Sequence, residues 1–557
     1  MSRRVSSRWE LTGTLVAQAP LHVGGLDVGP AQLVQARDGA GRPLLPGTSL
    51  AGVIRSALRA QGLPDYRLWG LPSRDSGDGG EASWVRVDDA PAVDPPQPAV
   101  DAPQVELRDH VSIDRVHGVA ARGHLFSREV LPAGTRFAFR MVVDAPENMD
   151  ADTAEDLVHA IAARLRGPGI SVGAAVTRGL GLVRLQDAEL RESRLSTRAG
   201  IVAALRLGGE PVELPAADPD EVPAGVLRIV VPWRPQGPLA VQVSSDGDVV
   251  SAFPLTGRDG AGGHRLELPG SSIKGVLRSH AERITRTVTG AAAPVTFLDQ
   301  MRADGLGPVA ALFGTAAARD SDNRDLPAGQ RGALQVATCV STAAMPAAQW
   351  DAVRLLQQRL SETTGHAGRP ADGGQNADGG PAPRKVDEQR VALGRLQHAV
   401  DDLNGSVRGI RFTIAHHVAV DRWTGGAAEA LLFATVEPHD TSGKAWQPII
   451  LDLAVDQLDR DPTKPGTDAD DDRRAALALL LLVLRDLCDG WLGFGHGTTR
   501  GAGAVRVDAT AVTFRAGHRT GWFGVLDDRS LADVLADEEL TAPLTAAWLA
   551  TTTGGGA

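Results

Sequence analysis

Two glycine-rich loops, each with an arginine beside its last glycines, carry the residue types best suited to binding a phosphate. They are VGAAVTRGLG at residues 172–181 and GFGHGTTRGAG at residues 493–503, with Arg178 and Arg500. Closely spaced glycines let backbone N–H groups turn outward without a Cβ in the way, and an arginine adds a forked cation. Neither loop is a Walker A motif or a dinucleotide fingerprint, because no Gly-Lys-Ser/Thr follows and both loops lead into strands. The pattern therefore predicts anion binding, while a plain helix-to-strand turn explains either loop taken alone.

Two further segments are near copies of each other, and both have the pattern of a helix start. Residues 45–56 read LPGTSLAGVIRS and residues 268–279 read LPGSSIKGVLRS, with eight of twelve positions identical. Apolar residues recur at helical spacing behind the Pro-Gly turn, and the free N–H groups at a helix N-terminus attract anions. Thr48 or Ser49 can serve as N-cap, and Ser49 or Ser272 can add a hydroxyl. These helix starts are the second predicted set of anion-binding groups.

A third repeated pair lies between the other two along the chain. It reads HVSIDR at residues 110–115 and HVAVDR at residues 417–422, and each copy is followed ten residues later by Leu-Phe. The three motifs occur in the same order in both halves of the sequence. The chain is therefore predicted to be a tandem duplication of one module.

The composition is that of a globular protein large enough for two cores. Of the 557 residues, 43% are hydrophobic and 22% are charged. Cys339 and Cys488 are too few for a disulfide framework or a cysteine-rich zinc site, which favours a reducing cytoplasm. The longest apolar run, residues 475–484, is too short to cross a bilayer. We therefore expect a cytoplasmic protein without a membrane role.

The net charge of −11 argues at first against a nucleic-acid partner, because such proteins usually carry a basic excess. Acidic residues, however, are concentrated in predicted loops such as residues 75–114 and 456–472, whereas the repeated motifs contain arginine and almost no acid. Because the local field decides what binds, an anionic partner is compatible with this distribution. The preference for arginine over lysine suits forked phosphate recognition, but a GC-rich coding bias explains it equally well.

Hydrophobic periodicity predicts the same order of elements in both halves. The first half has strands at 11–23, 135–143 and 182–190, a helix that begins at Thr48 or Ser49 and runs to Arg59, and a helix at 153–166. The second half has strands at 226–233, 449–455 and 504–514 and helices at 272–288 and 473–489. This order predicts an α+β protein of two tandem ferredoxin-like (RRM-like) βαββαβ modules. The predicted domains are a first module at 1–215, a second at 216–520 with a flexible insertion at about 361–386, and a helical tail at 521–557.

These motifs, taken together, resemble the RAMP superfamily and, more narrowly, the backbone subunits of type III CRISPR effector complexes. The resemblance rests on the two helix starts, on SIDR…LFSREVLPAGTRF at residues 112–137, on VAVDR…LLF in the second half, and on the two glycine loops. It implies two fused modules that bind CRISPR RNA, pair it with target RNA and assemble with backbone, small and large subunits of the complex. It also implies protruding thumb hairpins, inserted at residues 115–124 and 422–431, that displace a base at intervals.

Residue by residue, the resemblance assigns RNA contacts to the helix starts and glycine loops. The resulting RNA-binding set is Ser49, Arg55, Arg178, Gly179, Gly181, Ser272, Lys274, Arg278, His496, Thr499, Arg500 and Gly501. Ala51 stands where the second half has Lys274, so the first helix start is expected to bind RNA more weakly.

The resemblance also bears on whether the protein cleaves the target RNA. Active family members carry an aspartate in the loop before the helix start, where a carboxylate can assist attack of a 2′-hydroxyl on its own phosphate. An ungapped count reaches Ala31 and Pro254, which cannot do this chemistry, while Asp27 and Asp248 lie close by. These two aspartates are the candidate catalytic residues, with magnesium as the candidate cofactor, and turn formation is the alternative role for each.

Two other functions stay open at this point. A guide-processing endoribonuclease of the RAMP superfamily also has two ferredoxin-like modules, but it would need neither a helix start nor a thumb in both halves. A metabolic enzyme acting on a phosphate ligand is disfavoured, because the sequence contains no metal cluster or nucleophile constellation.

Overall fold

The structure is a computed structural model. It describes residues 4–25, 31–63, 66–70, 80–93, 105–147, 149, 151–244, 250–302, 306–316, 329–365, 383–458 and 469–553.

The first half is a curled antiparallel sheet with helices. Its strands are β1 (Val5–Ala17), β2 (Leu44–Leu45), β3 (Val85–Val87), β4 (Ala90–Val93), β5 (Glu106–Asp114), β6 (Val119–Val130), β7 (Arg136–Pro146), β8 (Ile170–Ser171), β9 (Leu182–Arg194) and β10 (Glu210–Val212). Its helices are α1 (Gly47–Ala60), α2 (Tyr66–Trp69), α3 (Ala151–Arg166) and α4 (Arg198–Leu207). The main sheet has the order β10–β9–β1–β7–β4–β2, in which β1 pairs antiparallel with both β7 and β9.

The second half also combines antiparallel strands with helices. Its strands are β11 (Val226–Val231), β12 (Trp233–Pro235), β13 (Gln242–Ser244), β14 (Ala252–Pro254), β15 (Thr256–Arg258), β16 (Gly263–Leu268), β17 (Leu334–Val336), β18 (Cys339–Val340), β19 (Met345–Pro346), β20 (Ile410–Val420), β21 (Ala427–Asp440), β22 (Ile449–Ala454), β23 (Val505–Val507) and β24 (Thr513–Ala516). Its helices are α5 (Gly270–Thr289), α6 (Phe297–Arg302), α7 (Gly307–Phe313), α8 (Ala347–Gly365), α9 (Pro383–Ser406), α10 (Ala469–Cys488), α11 (Leu531–Ala536) and α12 (Glu538–Thr553).

The central strands of both halves have the same spatial order. It is β9–β1–β7–β4 in the first half and β24–β11–β22–β17 in the second. Alternate strand residues face the interior, as in the pairs Leu227↔Leu453 and Ile229↔Leu451. The buried apolar residues form two clusters, one between residues 9 and 190 and one between residues 227 and 548. The prediction of an α+β fold is thus confirmed.

Each half also carries a long β-hairpin where the sequence predicted a thumb. Strands β5 and β6 form the first, with a turn at residues 115–118, and β20 and β21 form the second, with a turn at residues 421–426. Both hairpins begin earlier than the predicted thumbs, so residues 110–114 and 417–420 of the repeated motifs lie in strands and the last residues of each motif lie in the turn.

The prediction that Thr48 or Ser49 caps α1 is wrong. The helix begins at Gly47 with Pro46 as N-cap and no side-chain cap bond. Instead, the Gly47 N–H donates to Asp89 Oδ1 at 2.7 Å, so a carboxylate from a distant segment takes the first free N–H group. Helix α5 likewise starts after Pro269 with no side-chain cap bond, which places Ser272 in its first turn.

Three predicted boundaries also differ from the structure. Strand β1 ends at Ala17, before Pro20, because proline has no N–H group to continue the ladder. The ends of the predicted flexible insertion belong to α8 and α9, and residues 366–382 lie outside the described part of the chain. The helical tail packs Leu531, Val534 and Trp548 into the second hydrophobic cluster.

Candidate nucleic-acid interface

The first glycine loop is a tight turn held against the second half of the chain. Val176–Arg178 form a single 3-10 turn, flanked by Ala175 and Gly179, both in the left-handed region with φ of 59° and 87°. A Cβ on Gly179 would lie 2.5 Å from the backbone nitrogen of Thr338, so glycine is required on steric grounds as well. The Thr338 hydroxyl donates to the Gly179 carbonyl oxygen at 3.0 Å.

The same loop packs against the start of α5. A Cβ on Gly270, the first residue of that helix, would lie 2.8 Å from the Arg178 carbonyl oxygen. Val336 stands beside Gly270 as Val87 stands beside Gly47 in the first half, and two residues further along the chain Thr338 occurs where the first half has Asp89. Threonine therefore replaces the aspartate that caps α1, and the α5 start meets the first glycine loop. The two predicted anion-binding features come together across the halves.

A group of basic side chains lies near this contact, and we call it the joint cluster and define it as His22, His110, Arg128, Arg178 and Lys274. Burial lowers the pKa of His110 to about 4, and the charges of Arg128, Arg108, Arg178 and His22 add to the effect. Burial also lowers the pKa of Arg128 and Arg178, and Arg178 further lowers that of Arg128. The cations thus act on one another without carboxylates strong enough to offset them.

Several donors near the joint cluster have no hydrogen-bond partner. They are His110 Nε2, Arg128 Nε and Arg278 Nη2, all buried. Among the described residues, the guanidinium groups of Arg128, only 6% exposed, and of Arg178 make no hydrogen bond or ion pair. Because a buried polar group without a partner is costly, such donors indicate a site shaped for an anion.

Lys274 is not placed as a side chain that binds phosphate from solvent would be. Its side chain is 6% exposed, and Nζ donates to the Leu334 carbonyl oxygen at 2.6 Å. Burial lowers the pKa of Lys274 to about 7, with contributions from Arg278, Arg178 and Arg331. Lys274 thus joins α5 to β17 and adds charge from beneath the surface.

Neighbouring arginines are paired, which confines the excess charge to the joint cluster. Arg108 Nη1 lies 2.6 Å from Glu267 Oε2, and its Nη2 lies 2.7 Å from Glu106 Oε2. Arg115 Nη1 lies 2.8 Å from Glu282 Oε1. Arg108 and Arg115 belong to the first hairpin, whereas Glu267 and Glu282 belong to the second half, so buried ion pairs hold the two halves together.

The second glycine loop faces the second hairpin. His496 Nε2 lies 2.9 Å from Arg500 Nη2, and His417 Nε2 lies 2.9 Å from Thr435 Oγ1 and 3.3 Å from Glu437 Oε1. Burial lowers the pKa of His496, and the charges of Arg500 and His417 act in the same direction while Glu437 opposes them. We call His417, Thr435, Glu437, His496 and Arg500 the histidine cluster.

The two sites are built on one plan. His110 stacks on Phe126 with ring centroids 5.1 Å apart, and His417 stacks on Phe433 at 5.0 Å. In each half the glycine loop lies near the hairpin face that carries the stacked histidine. The decisive observation is that the first half, from β1 through the first glycine loop, is matched by the model of the RAMP superfamily over residues 14–184.

Residues 14–184 are thus similar to the RAMP superfamily. The CRISPR system Cms endoribonuclease Csm3 of Methanocaldococcus jannaschii is 26% identical to this protein over 202 residues, covering 32% of this chain and 79% of that protein. A chain from the solved structure "Type III-B Cmr-beta Cryo-EM structure of the Apo state" is 18% identical with a TM-score of 0.25, covering 32% of this chain and 96% of that chain.

The structure brings together some of the predicted RNA contacts of this chain and separates others. Arg178 and Gly179 meet the helix start that carries Ser272, Lys274 and Arg278. His496, Thr499, Arg500 and Gly501 lie in the second glycine loop, which is anchored by the His496 N–H to the Ala240 carbonyl oxygen at 2.8 Å. Ser49 is half-buried in the first turn of α1, and Arg55 reaches the Gly70 carbonyl oxygen at 3.5 Å. A Cβ on Gly181 would clash with the Val172 carbonyl oxygen.

Sequence reasoning gave no RNA-binding role to Arg128, His110 or Glu437. Arg128 stands in the SREV segment that supported the family resemblance, and His110 opens a repeated motif, so the signal was present. What the sequence does not show is that both side chains face the glycine loop and that Arg128 has no partner among the described residues.

The catalytic candidates Asp27 and Asp248 lie outside the described residues. In the described ranges, no three His, Cys, Asp or Glu side chains are grouped so that they could hold a metal ion. None of the described helices combines the length and the apolar character that crossing a bilayer requires.

Proposed function

We propose that this chain is a CRISPR RNA-binding backbone subunit of a type III CRISPR interference complex. In this proposal two tandem ferredoxin-like RAMP modules hold the guide RNA and pair it with target RNA. The observation that carries the proposal is the joint cluster, in which His110 Nε2 and Arg128 Nε are buried without a hydrogen-bond partner among the described residues and the exposed Arg178 adds a positive charge. Three features of the protein support RNA as the ligand. They are the positive charge that matches the phosphate charge, the glycine loops, and the presence of one such site in each half.

A phosphodiester backbone fits this site better than a compact ligand does. The joint cluster and the histidine cluster each combine a glycine loop, an arginine and a histidine stacked on phenylalanine, so one chain offers two similar sites in series. A polymer with a regular negative charge can engage both sites, and single-stranded RNA contributes bases that stack on exposed aromatic groups.

The contact between the halves suggests how other subunits would bind. Within the chain, the first glycine loop docks on the α5 start of the second half. The equivalent elements at the two ends are open, since Thr48 at the α1 start and Thr499, Arg500 and Gly501 in the second glycine loop are exposed. We infer that each free element receives the matching element of a neighbouring backbone subunit.

Target cleavage at one module is part of the proposal. The resemblance names Asp27 and Asp248 as carboxylates for this step, with magnesium as a possible cofactor. The test is to assemble the complex with guide RNA, add complementary RNA, and compare Asp27→Ala with Asp248→Ala. A cut that survives in both variants would remove these two carboxylates from the mechanism.

Charge reversal at the glycine loops tests RNA binding. Arg178→Glu with Arg500→Glu should weaken binding of single-stranded RNA and flatten the plot of log affinity against log salt by about 0.7 for each phosphate that the protein no longer neutralises. The matched control is Arg198→Glu with Arg206→Glu, which makes the same charge change on the exposed helix α4. An unchanged salt slope in the glycine-loop variant, or an equally weakened affinity in the α4 variant, would contradict the proposal.

A further inference from the structure

The joint between the two halves shows how one module docks on the next, and its contacts have equivalents at the two open ends of the chain. Within each repeated motif the two copies align without gaps, which assigns these equivalents. We call one open end the α1 end, with Leu44, Arg59 and Asp89, and the other the loop end, with Ala415, Arg422 and Gly501. Whether a second copy of this chain can dock as the halves do depends on how these residues would meet.

The hydrogen bond at the glycine loop cannot be repeated between two copies. In the joint, the Thr338 hydroxyl donates to the Gly179 carbonyl oxygen at 3.0 Å. The equivalents of these two residues are Asp89 and Gly501. Because an ionised carboxylate is only an acceptor, Asp89 would face the Gly501 carbonyl oxygen with no proton between them. A favourable contact of the joint thus becomes a repulsive one.

The ion pair near the turn of the hairpin also becomes repulsive. In the joint, Arg115 Nη1 lies 2.8 Å from Glu282 Oε1, and both side chains are largely buried. Their equivalents are Arg422, in the turn of the second hairpin, and Arg59, in the last turn of α1, and both are exposed. Two arginines would therefore meet where the joint has an arginine and a glutamate, and like charges placed opposite each other weaken an interface.

The second ion pair of the joint has no charged equivalent at the ends. Arg108 Nη1 lies 2.6 Å from Glu267 Oε2 in the joint. The equivalent residues are Ala415 and Leu44, which carry no charge. Two copies that docked as the halves do would thus gain no ion pair to offset the repulsion between the arginines.

The support that the joint gives to the first hairpin is absent from the α1 end as well. The His124 ring lies over the Phe297 ring of α6, with centroids 4.6 Å apart, and the Arg115 N–H donates to Gln300 Oε1 of the same helix at 3.0 Å. Helix α6 follows α5, whereas only residues 61–65 separate α1 from α2. There is no room for an equivalent of α6 at that place, so the second hairpin of another copy would find no such support.

We propose that the α1 end is specific for a module on a different chain, which carries a carboxylate on its hairpin opposite Arg59 and a hydrogen-bond donor in its glycine loop opposite Asp89. A second copy of this chain offers Arg422 and the Gly501 carbonyl oxygen instead and is rejected. The inference rests on the proposed function, in which neighbouring subunits dock at both ends. It adds that copies of this chain do not follow one another along the RNA.

The α1 end can provide both the attraction and the repulsion that such specificity needs. Asp89 Oδ1 accepts the Gly47 N–H at 2.7 Å, which fixes the carboxylate at the helix start. Among the described residues no donor reaches its Oδ2, so this oxygen can accept a bond from the neighbouring chain. Arg59 and Asp89 are both exposed, and they carry opposite charges, so a neighbour must present the reverse pair.

The test converts the α1 end into an equivalent of the α5 start. Asp89→Thr with Arg59→Glu introduces the two groups of the joint, so this α1-end variant should dock on copies of itself. The full chain is bound to single-stranded RNA long enough for several copies, because binding to one strand raises the effective concentration and makes a weak contact measurable. In native gel shifts, wild type should bind its first and second copies with equal affinity, and the variant should bind the second about tenfold or more tightly.

The matched control adds Arg422→Glu to the α1-end variant. Glutamate then faces glutamate, so the second copy should again bind no more tightly than the first. Arg422→Glu alone places a carboxylate opposite Arg59 of the next copy and thus reproduces the hairpin of the proposed neighbour. It should favour the second copy by a smaller factor, because Asp89 still faces Gly501. This variant changes only an exposed turn residue, so it decides the question if the α1-end variant does not fold.

RNA affinity and sedimentation without RNA are measured on the same samples, so the two proposals can fail separately. A wild type that does not bind RNA would overturn the proposed function. The sedimentation data would then still test the inference, which expects a monomeric wild type and concentration-dependent oligomers of the α1-end variant. A wild type that binds RNA with its second copy favoured tenfold, or folded α1-end and Arg422→Glu variants that both bind without such preference, would overturn the specificity of the α1 end and leave RNA binding standing.

Discussion

Arg108 and Arg128 stand directly opposite each other on the first hairpin, and they offer a sharp test of the joint cluster. Both are buried, but Arg108 is paired with Glu267 and Glu106, whereas Arg128 has no hydrogen-bond or ion-pair partner among the described residues. Substituting each with methionine keeps a long, unbranched side chain and removes the charge. The two variants should behave in opposite ways.

The structure sets the expected magnitudes. Arg108→Met leaves Glu267, 4% exposed, without its partner, and should lower the free energy of unfolding by about 3–5 kcal/mol. Arg128→Met removes a desolvated charge and also removes the cation–π interaction with Phe126 at 5.9 Å. These effects oppose each other, so the free energy of unfolding should change by no more than about 1 kcal/mol.

For RNA affinity, in contrast to stability, Arg128→Met should have a large effect. Removing one charge-assisted hydrogen bond to a phosphate costs about 1.5–3 kcal/mol, which corresponds to roughly 10-fold to 150-fold weaker binding. Urea unfolding of the RNA-free protein and fluorescence anisotropy with labelled single-stranded RNA measure the two quantities. The reasoning is refuted if Arg128→Met unfolds as easily as Arg108→Met, or if it binds RNA as tightly as wild type.

Three further predictions concern stability. Because the folded pKa of Lys274 is about 7 and lies below its ordinary value, the unfolded chain binds one more proton above that pH. The free energy of unfolding should therefore rise by about 1 kcal/mol per pH unit from pH 7 towards 10, and this slope should be absent from Lys274→Met in urea titrations. Gly179→Ala should lower the unfolding free energy by at least about 1–2 kcal/mol, since Cβ would press on the Thr338 nitrogen at a left-handed φ, and equal stability would show that the loop relaxes. Asp89→Ala should cost about 1 kcal/mol by removing the bond to the Gly47 N–H, with Asp88→Ala, a neighbouring carboxylate, as a comparison in thermal melts.

Local patterns were enough to predict much of the fold. The helical spacing behind both Pro-Gly turns predicted α1 and α5, and the repeated motifs predicted that the strands and hairpins would recur in the same order. The end of β1 was predicted too late, because alternation of apolar residues continues past the point where pairing with β7 and β9 stops.

The site depended on contacts that adjacent residues do not encode. Asp89 caps helix α1, which begins 42 residues earlier, and no residue near Ser49 indicates this contact. The first glycine loop was expected to act with its own helix start, but it packs on α5, a contact between segments almost a hundred residues apart. The unpaired state of Arg128 is a property of the assembled surroundings and has no sequence signature.

The ion pairs that join the two halves make each half depend on the other for its folding. Arg108 and Arg115 reach Glu267 and Glu282 across the joint, and Thr338 binds the Gly179 carbonyl oxygen there as well. A polypeptide that stopped after the first half would leave Arg115 without Glu282 and Arg108 with Glu106 alone, and the second half by itself would bury Glu267 without Arg108. Either half expressed separately is therefore expected to unfold and be degraded more readily than the full chain.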